Sequence, residues 1–433
     1  MRSTPPQGWN SWDCFGSSVT EAEVLANAEF IAEHLLEFGW DTVVVDIDWS
    51  DPTASAHEYN AGAPLEMDGY GRLVPAPNRF PSAADGAGFG PLAERIHALG
   101  LKFGIHTMRG VPRNAVAQNT PVLGTSATAA EIAAPENSCQ WNPDMVGLDW
   151  SIPAAQAYYD STLALYAQWG VDFIKCDDML WPYQSADIAA YATAIAKTGR
   201  EIELSLSPGR ELSFAHLDHL RANATMWRIS DDLWDRWEDV EANFMRFSRW
   251  APHASADGWP DGDMLPLGRI GIRAHDGVER DSRLTHAEQV TLMTLWVIAR
   301  SPLMIGGHLP ESKPETIALF TNREVLEVLR SSGNRELVRE GNVVIWGADG
   351  EADVRYVAVF NLSDGDATLS VDPQEAGLPG VLTGELRELW TGEVLAPRLV
   401  TSHPDGDRGV LPGNTAIDPV LPRHGSALLR YRP

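Results

Sequence analysis

The sequence predicts a (β/α)8 barrel, the TIM barrel, followed by a C-terminal antiparallel β-sandwich. Short β-branched runs alternate with amphipathic helical stretches from the N-terminus to about residue 305, the pattern of a parallel α/β fold. Eight such runs can be counted, the number that closes this barrel. After about residue 332 the texture changes to strand-like runs separated by Gly, Asp and Pro turns, with no helical period. A chain of 433 residues also exceeds one core of ordinary size. Two domains are therefore expected, the barrel over 1–332 and the sandwich over 333–433.

The predicted barrel strands are, in order, "PQGWNSW", "DTVVVDID", "LKFGIHT", "VDFIKCD", "EIELSLS", "TMWRIS", a weaker run at "HASADGW", and "ARSPLMIG". The helices between them are legible. In "TEAEVLANAEFIAEHLLEFG" Val24, Ala28, Ile31 and Leu35 share a face, Thr20 and Glu23 make a capping-box pattern, and Gly39 stands where a C′ glycine belongs. In "SIPAAQAYYDSTLALYAQWG" Ser151 is the expected cap and Pro153 lies in the first turn. Ala155, Tyr158, Thr162, Leu165 and Trp169 line one face, and Gly170 is the stop. The sandwich strands are expected in "NVVIWGADGEADVRYVAVFNLS", with Asp349-Gly350 as a hairpin turn, and in "ATLSVD", "GELRELW" and "HGSALLRYR". The stretch "SHPDGDRGVLPGN" reads as a long loop inside that domain.

Composition excludes several function classes. With 33 Lys plus Arg against 60 Asp plus Glu, the formal charge of −27 repels nucleic-acid phosphates. No stretch approaches the ~18 consecutive apolar residues that a membrane-spanning helix needs. Cys14, Cys139 and Cys176 have no metal-site spacing and read as reduced structural thiols. "MRSTPPQGWNSWDCFG" has no apolar core of secretory length, so a cytoplasmic location is expected. Neutral or cationic small ligands fit this charge, and a homo-oligomer is compatible with it.

In such a barrel, chemistry sits at the C-terminal ends of the strands. There the sequence places Trp12 and Asp13, then Asp46, Asp48 and Trp49, then His106, then Lys175, Asp177 and Asp178. Ser207 follows the fifth run, Arg228, Asp231 and Asp232 the sixth, and Asp261 and Asp263 the seventh. Carboxylates that accept from hydroxyls, one Lys, one Arg and tryptophans that cover apolar ring faces make the composition of a neutral-sugar site. Two carboxylates facing across the mouth would permit glycoside hydrolysis. Lys175 shares a strand face with Asp177 by two-residue alternation and would keep it ionised, whereas Asp178 should turn away. His253, His275 and His286 lack metal spacing and read as structural, and "LWDRWEDV" reads as a helix face bearing Trp234 and Trp237. "DIDW" has the form of a metal-binding DxD but no accompanying nucleotide-sugar pattern, so neither a metal nor a cofactor is expected.

These motifs resemble glycoside hydrolase family 27, which holds α-galactosidases and α-N-acetylgalactosaminidases. "PPQGWNSWDCFG" is similar to the family's PPMGWNSWN, "WGVDFIKCDD" to its WGVDYLKYD, and "MWRISDDLWDRW" to its WRTTGDIxDNW. "WPDGDML" is similar to DPDML, "SPLMIGG" to APLxxG, and "LPRHGSALLR" to LPPHGxxLL, in order across both domains. The resemblance implies a retaining exo-α-glycosidase, most simply an α-galactosidase. Asp177 falls on its nucleophile and Asp232 on its acid/base, four residues after Arg228. Trp12, Asp46, Lys175, Arg228 and Asp263 fall on contacts to the terminal sugar, and Asp178 on a position with no catalytic role.

The departures concern specificity. The family usually has two adjacent Asp after strand two, reading the 4- and 6-hydroxyls. Here Asp46 is followed by Ile47 and then Asp48, so one hydroxyl contact is missing, moved or supplied by Asp48. The pocket Tyr after strand three is His106. Ser207 stands where α-galactosidases carry Glu-Trp-Pro, and a small residue there resembles the α-N-acetylgalactosaminidases. Met179 and Asn114 occupy the positions of a usual disulfide, and residues 108–144 form a long insertion expected to build the pocket wall. An α-N-acetylgalactosaminidase, a β-L-arabinopyranosidase, an α-glucan-acting relative and an inactive sugar-binding protein stay open at this point.

Overall fold

A computed structural model describes residues 3–56, 59–400 and 413–433. Eight parallel strands curl around one axis: β1 (Gln7–Asn10), β2 (Thr42–Val45), β3 (Lys102–Met108), β4 (Phe173–Asp177), β5 (Glu203–Leu206), β6 (Met226–Arg228), β7 (Trp259–Asp261) and β8 (Leu303–Ile305). The ladder runs β8-β1-β2-β3-β4-β5-β6-β7. Between β7 and β8 the seam is closed one step later, where Leu265 N–H donates to Met304 O at 2.7 Å and Gly306 N–H to Leu265 O at 2.9 Å. This explains why the seventh strand lies at Trp259–Asp261, overlapping the expected "HASADGW" only at its last residue. Pro260 has no N–H to give, and it sits where only the β6 side is paired.

The first long helix, α1 (Glu21–His34), begins as expected, with Thr20 N–H donating to Glu23 Oε2 at 2.9 Å. It stops at Leu35, however, and Gly39 caps a following 3-10 turn, Leu36–Phe38, in a left-handed conformation. The helix α2 (Pro153–Gln168) is capped by Ile152 rather than Ser151, whose hydroxyl donates instead to Asp149. Tyr158, Thr162 and Trp169 are buried as the spacing required, and Leu165 only partly. "LWDRWEDV" straddles a boundary, because the helix α3 (Trp237–Trp250) starts at Trp237. Trp234 precedes it and is free to point into the barrel mouth.

The C-terminal domain is a six-stranded antiparallel sheet: β9 (Ser332–Glu340), β10 (Val343–Asp349), β11 (Arg355–Asn361), β12 (Glu385–Glu388), β13 (Val394–Leu395) and β14 (Ser426–Arg432), in the order β9-β10-β11-β14-β12-β13. Strand alternation divides its side chains between two cores. Val344, Trp346, Ala358, Phe360 and Leu428 join the barrel's core, while Ile345, Val357, Val359 and Leu429 pack with Leu369, Val371 and Ile417 of a thinner second layer. The helix α4 (His286–Ala299) lies between barrel and sheet and is buried on nearly all sides from Thr291 to Ala299, as a helix apolar all round should be. Asp349-Gly350 does not make a two-residue turn. The β10–β11 connection runs over residues 350–354, with Ala352 and Asp353 taking the positive φ angles. The expected "SHPDGDRGVLPGN" loop lies outside the described residues up to 412.

The insertion is not a bare loop. Val111–Pro112, Ala133–Ala134 and Met145–Leu148 pair as a small antiparallel sheet beside a short helix, Arg113–Gln118.

Candidate active site

The barrel mouth holds a cavity of about 480 Å³, within the ~300–1,000 Å³ typical of small-molecule sites. Its lining includes Trp12, Asp46, His106, Lys175, Asp177 and Asp232, six of the sequence-predicted residues, and Ile47 and Trp234 beside them.

The "WNSW" segment leaving β1 builds the floor. Asn10 Nδ2 donates to Asp46 Oδ2 at 2.7 Å, and its own Oδ1 accepts from Trp12 N–H at 2.9 Å. Ser11 Oγ accepts from Asp46 N–H at 2.9 Å. One turn thus fixes both the carboxylate at the end of β2 and the indole beside it. Lys175 Nζ reaches Asp46 Oδ2 from β4 at 2.9 Å. Burial alone would raise the Asp46 carboxyl, but Lys175, His106 and the Ile47 N–H outweigh it and hold Asp46 below its ordinary value.

Asp177 ends β4 on the same face as Lys175. Its Oδ2 lies 3.3 Å from His106 Nε2, and its Oδ1 accepts from Asp178 N–H at 2.9 Å. Burial opposes ionisation here too, yet the His106 hydrogen bond and charge, Lys175 and the Asp178 amide hold the carboxyl well below the usual carboxylate range. Asp178 takes a positive φ of 61° and turns out of the cavity, pairing with Arg109 Nη2 at 2.7 Å. Its carboxyl is pushed up to about 6, chiefly by burial. The two adjacent acids therefore occupy different environments.

Asp232 lies at the rim with 53% of its side chain exposed, 3.3 Å from Arg228 Nη2. Arg228 is itself buried and reaches Asp263 Oδ1 at 2.7 Å. Asp263 Oδ2 accepts from Leu233 N–H at 2.7 Å, so this ion pair holds the strand-six loop in place beneath Asp232. Burial, with the like charges of Asp232 and Asp261, raises the Asp263 carboxyl despite Arg228. Arg228 and Asp263 thus lie behind the cavity wall.

Besides Arg228 and Asp263, two further predicted contacts fall outside the cavity. Asp48 does not line this cavity. It turns, with φ 65°, into a separate water-sized space of about 20 Å³ shared with Asp144 and Met145. Burial and the neighbouring Asp144 and Asp51 raise its carboxyl well above the ordinary value. Ile47 takes the cavity position instead: the chain has left β2 and turns over residues 47–50, so strand alternation no longer holds and Asp46 and Ile47 both line the cavity. Ser207 is buried, and among the described residues its Oγ finds no hydrogen-bond partner. Pro208 is the residue that reaches the cavity.

Residues 150–331 match the alpha galactosidase A family, and residues 340–431 the alpha galactosidase C-terminal beta sandwich domain. A β-L-arabinopyranosidase of glycoside hydrolase family 27 from Geobacillus stearothermophilus, known from its crystal structure, is 46% identical and superposes with a TM-score of 0.93 over 100% of this chain and 97% of that one. The chain belongs to glycoside hydrolase family 27. It is a glycoside hydrolase. Alpha-galactosidase 3 of Arabidopsis thaliana is 26% identical over 400 residues, covering 90% of this chain and 76% of that protein. An alpha-galactosidase of Schizosaccharomyces pombe is 26% identical over 399 residues, covering 85% and 75%.

Several residues of this family 27 site were not singled out by sequence reasoning. Asn10 and Ser11 lie inside a quoted motif, and their small polar side chains between two tryptophans were the available signal. Tyr59 and Trp141 also line the cavity, Trp141 from the insertion. Tyr59 sits in a segment without periodicity, and nothing in its neighbourhood marked it. Asp235, inside "LWDRWEDV", is fully buried. Arg280 Nη2 donates to it at 2.7 Å and Arg283 Nη2 at 2.8 Å. Against the effect of burial, these hold its carboxyl at about 2. The Asp235 cluster ties the loop bearing Asp232 and Trp234 to the segment before α4. His275, read as structural, stacks on Trp12 with ring centroids 5.6 Å apart.

Proposed function

We propose that the enzyme is a retaining exo-glycosidase of α-galactosidase type, with Asp177 as nucleophile and Asp232 as acid/base. The observation that carries this is the difference between the two carboxylates on one cavity. Asp177 is enclosed, hydrogen-bonded by His106 and held ionised, as a nucleophile must be; Asp232 stands at the solvent-facing rim, where a leaving oxygen would depart. Asp177 attacks the anomeric carbon as Asp232 gives its proton to the departing oxygen. Asp232 then takes a proton from water, which cleaves the glycosyl-enzyme ester with the configuration kept. Asp46 and Lys175 at the closed end would take the hydroxyls of the terminal sugar, and Trp12 its C–H face.

Within that class, one observation favours a particular sugar. Ile47 presents an apolar side chain to the cavity where the family resemblance places a second carboxylate for the 6-hydroxyl. A ring of galactose configuration that lacks C6, a β-L-arabinopyranoside, needs no such contact and leaves Ile47 without a hydroxyl to desolvate. The arabinopyranosidase relative is consistent with this choice. The test is a panel of nitrophenyl α-D-galactoside, β-L-arabinopyranoside and α-N-acetylgalactosaminide, with the product anomer followed by NMR. The expected order of kcat/KM is arabinopyranoside, galactoside, acetylgalactosaminide, with retention. Inversion, or no turnover of any of the three, would overturn the reading.

A further inference from the structure

The cavity is graded from closed to open. Asp46 and His106 at one end are almost wholly buried, whereas Asp232 is 53% and Trp141 is 40% exposed. If the terminal sugar takes the closed end, as proposed above, the bond to be broken lies between Asp177 and Asp232. Whatever leaves must then lie on the solvent side of Asp232. The cavity lining also holds an aromatic pair which the proposed chemistry does not use, running from the floor at Trp12 out to the exposed Trp141. Tyr59 and Trp141 have ring centroids 5.7 Å apart at 45°, and Tyr59 is stacked on Trp12 at 6.1 Å and 18°. His275 backs the stack, 5.6 Å from Tyr59.

A tryptophan this exposed leaves apolar ring surface in water, which is unfavourable unless a ligand covers it. Its backbone is nevertheless fixed. The buried Asn142 side chain accepts from Asp144 N–H at 2.9 Å, and Arg109 Nη1 donates to Asn137 O at 2.7 Å. The same Arg109 pairs with Asp178, next to Asp177, so the segment carrying Trp141 is anchored to the residue that follows β4. The ring is held in position before any ligand arrives, which lowers the ordering cost of binding.

We propose that Tyr59 and Trp141 form the leaving-group subsite of this glycosidase, selecting glycosides whose leaving group presents a flat ring face, a second sugar or an aromatic group. The insertion that supplies Trp141 then sets leaving-group preference, separately from the sugar preference set at Ile47.

This inference rests on the glycosidase reading, and one pair of substrates separates the two. Nitrophenyl β-L-arabinopyranoside and β-L-arabinopyranosyl fluoride share the terminal sugar, but fluoride has no ring to stack. In Trp141→Ala, kcat/KM for the nitrophenyl glycoside is expected to fall by about tenfold or more, mainly through KM, as loss of a stacking contact implies. For the fluoride it should change less than about twofold. Trp141→Phe should restore most of the nitrophenyl activity. An equal fall on both substrates, or no fall on either, overturns the subsite. If the unaltered enzyme turns over neither arabinopyranoside, the choice of arabinose fails, and nitrophenyl α-D-galactoside with α-D-galactosyl fluoride, read in the same way, decides the subsite.

Discussion

His106 Nε2 lies 3.3 Å from Asp177 Oδ2, across two strands, β3 and β4, that are paired in parallel register. The contact joins the position where the family resemblance expects a tyrosine to the proposed nucleophile. It is among the interactions that overcome burial and keep Asp177 ionised. Removing it in His106→Phe should let burial dominate, so the Asp177 pKa rises. The acid limb of the pH profile of kcat/KM, which reports free-enzyme groups, should then move upward from below the ordinary carboxylate range. Measured between about pH 3 and 7, an unmoved acid limb would remove His106 from this role.

Asp232 is proposed to protonate the leaving oxygen, and that role depends on the leaving group. In Asp232→Ala, glycosides with an alkyl or sugar leaving group should lose about 10²- to 10⁴-fold in kcat/KM. A dinitrophenyl glycoside, whose leaving group needs no proton, should lose far less. Added azide should restore turnover by attacking the glycosyl-enzyme at the anomeric carbon, giving a glycosyl azide of retained configuration. A uniform loss over all leaving groups would assign Asp232 a structural part instead.

Ile47 is the residue proposed to set the preferred sugar. Ile47→Asp should raise the ratio of galactoside to arabinopyranoside kcat/KM by at least about tenfold, since a hydrogen bond to a charged group contributes ~1.5–3 kcal/mol. The buried position makes a folding loss a concern, so Ile47→Ser, which adds a hydroxyl and no charge, should shift the ratio in the same direction by less. Thermal melting of both variants checks the fold. A ratio that stays constant in two folded variants would place the selection elsewhere.

Most of the barrel was legible because its strands are short apolar runs that end in polar residues, and period and position together mark them. β7 escaped that logic. Its three residues include a proline, and "WPDGDM" has the composition of a turn; pairing with β6 makes it a strand, and the unpaired other edge tolerates the proline. The proposed nucleophile and acid/base, Asp177 and Asp232, stood out as candidates because each follows an apolar run, and the structure brings both to one cavity. Asp48 was not, because the direction of a side chain past a strand end depends on a positive φ that an L residue rarely adopts. Tyr59 and Trp141 come together from loops more than 80 positions apart in numbering. No local pattern encodes such a meeting, which depends on how the insertion packs against β3 and β4.

Asp13 supplies a prediction about stability. It follows Trp12, is buried beside Gly306, and its Oδ2 has no hydrogen-bond partner among the described residues. A Cβ added at Gly306 would lie 1.8 Å from that oxygen, so glycine is required there. Burial first, then the like charges of Asp263 and Asp232, raise the Asp13 carboxyl well above its ordinary value. A carboxyl whose folded pKa exceeds its unfolded one stabilises the fold below the unfolded pKa, near 4, and loses that contribution as pH rises to the folded value. Asp13→Asn has nearly the same shape and does not titrate. Its melting temperature should therefore exceed that of the unaltered enzyme at pH 7 to 8, with the difference shrinking toward pH 4. If the amide variant melts lower at pH 8, the Asp13 charge must be compensated by a partner and the argument from its isolation fails.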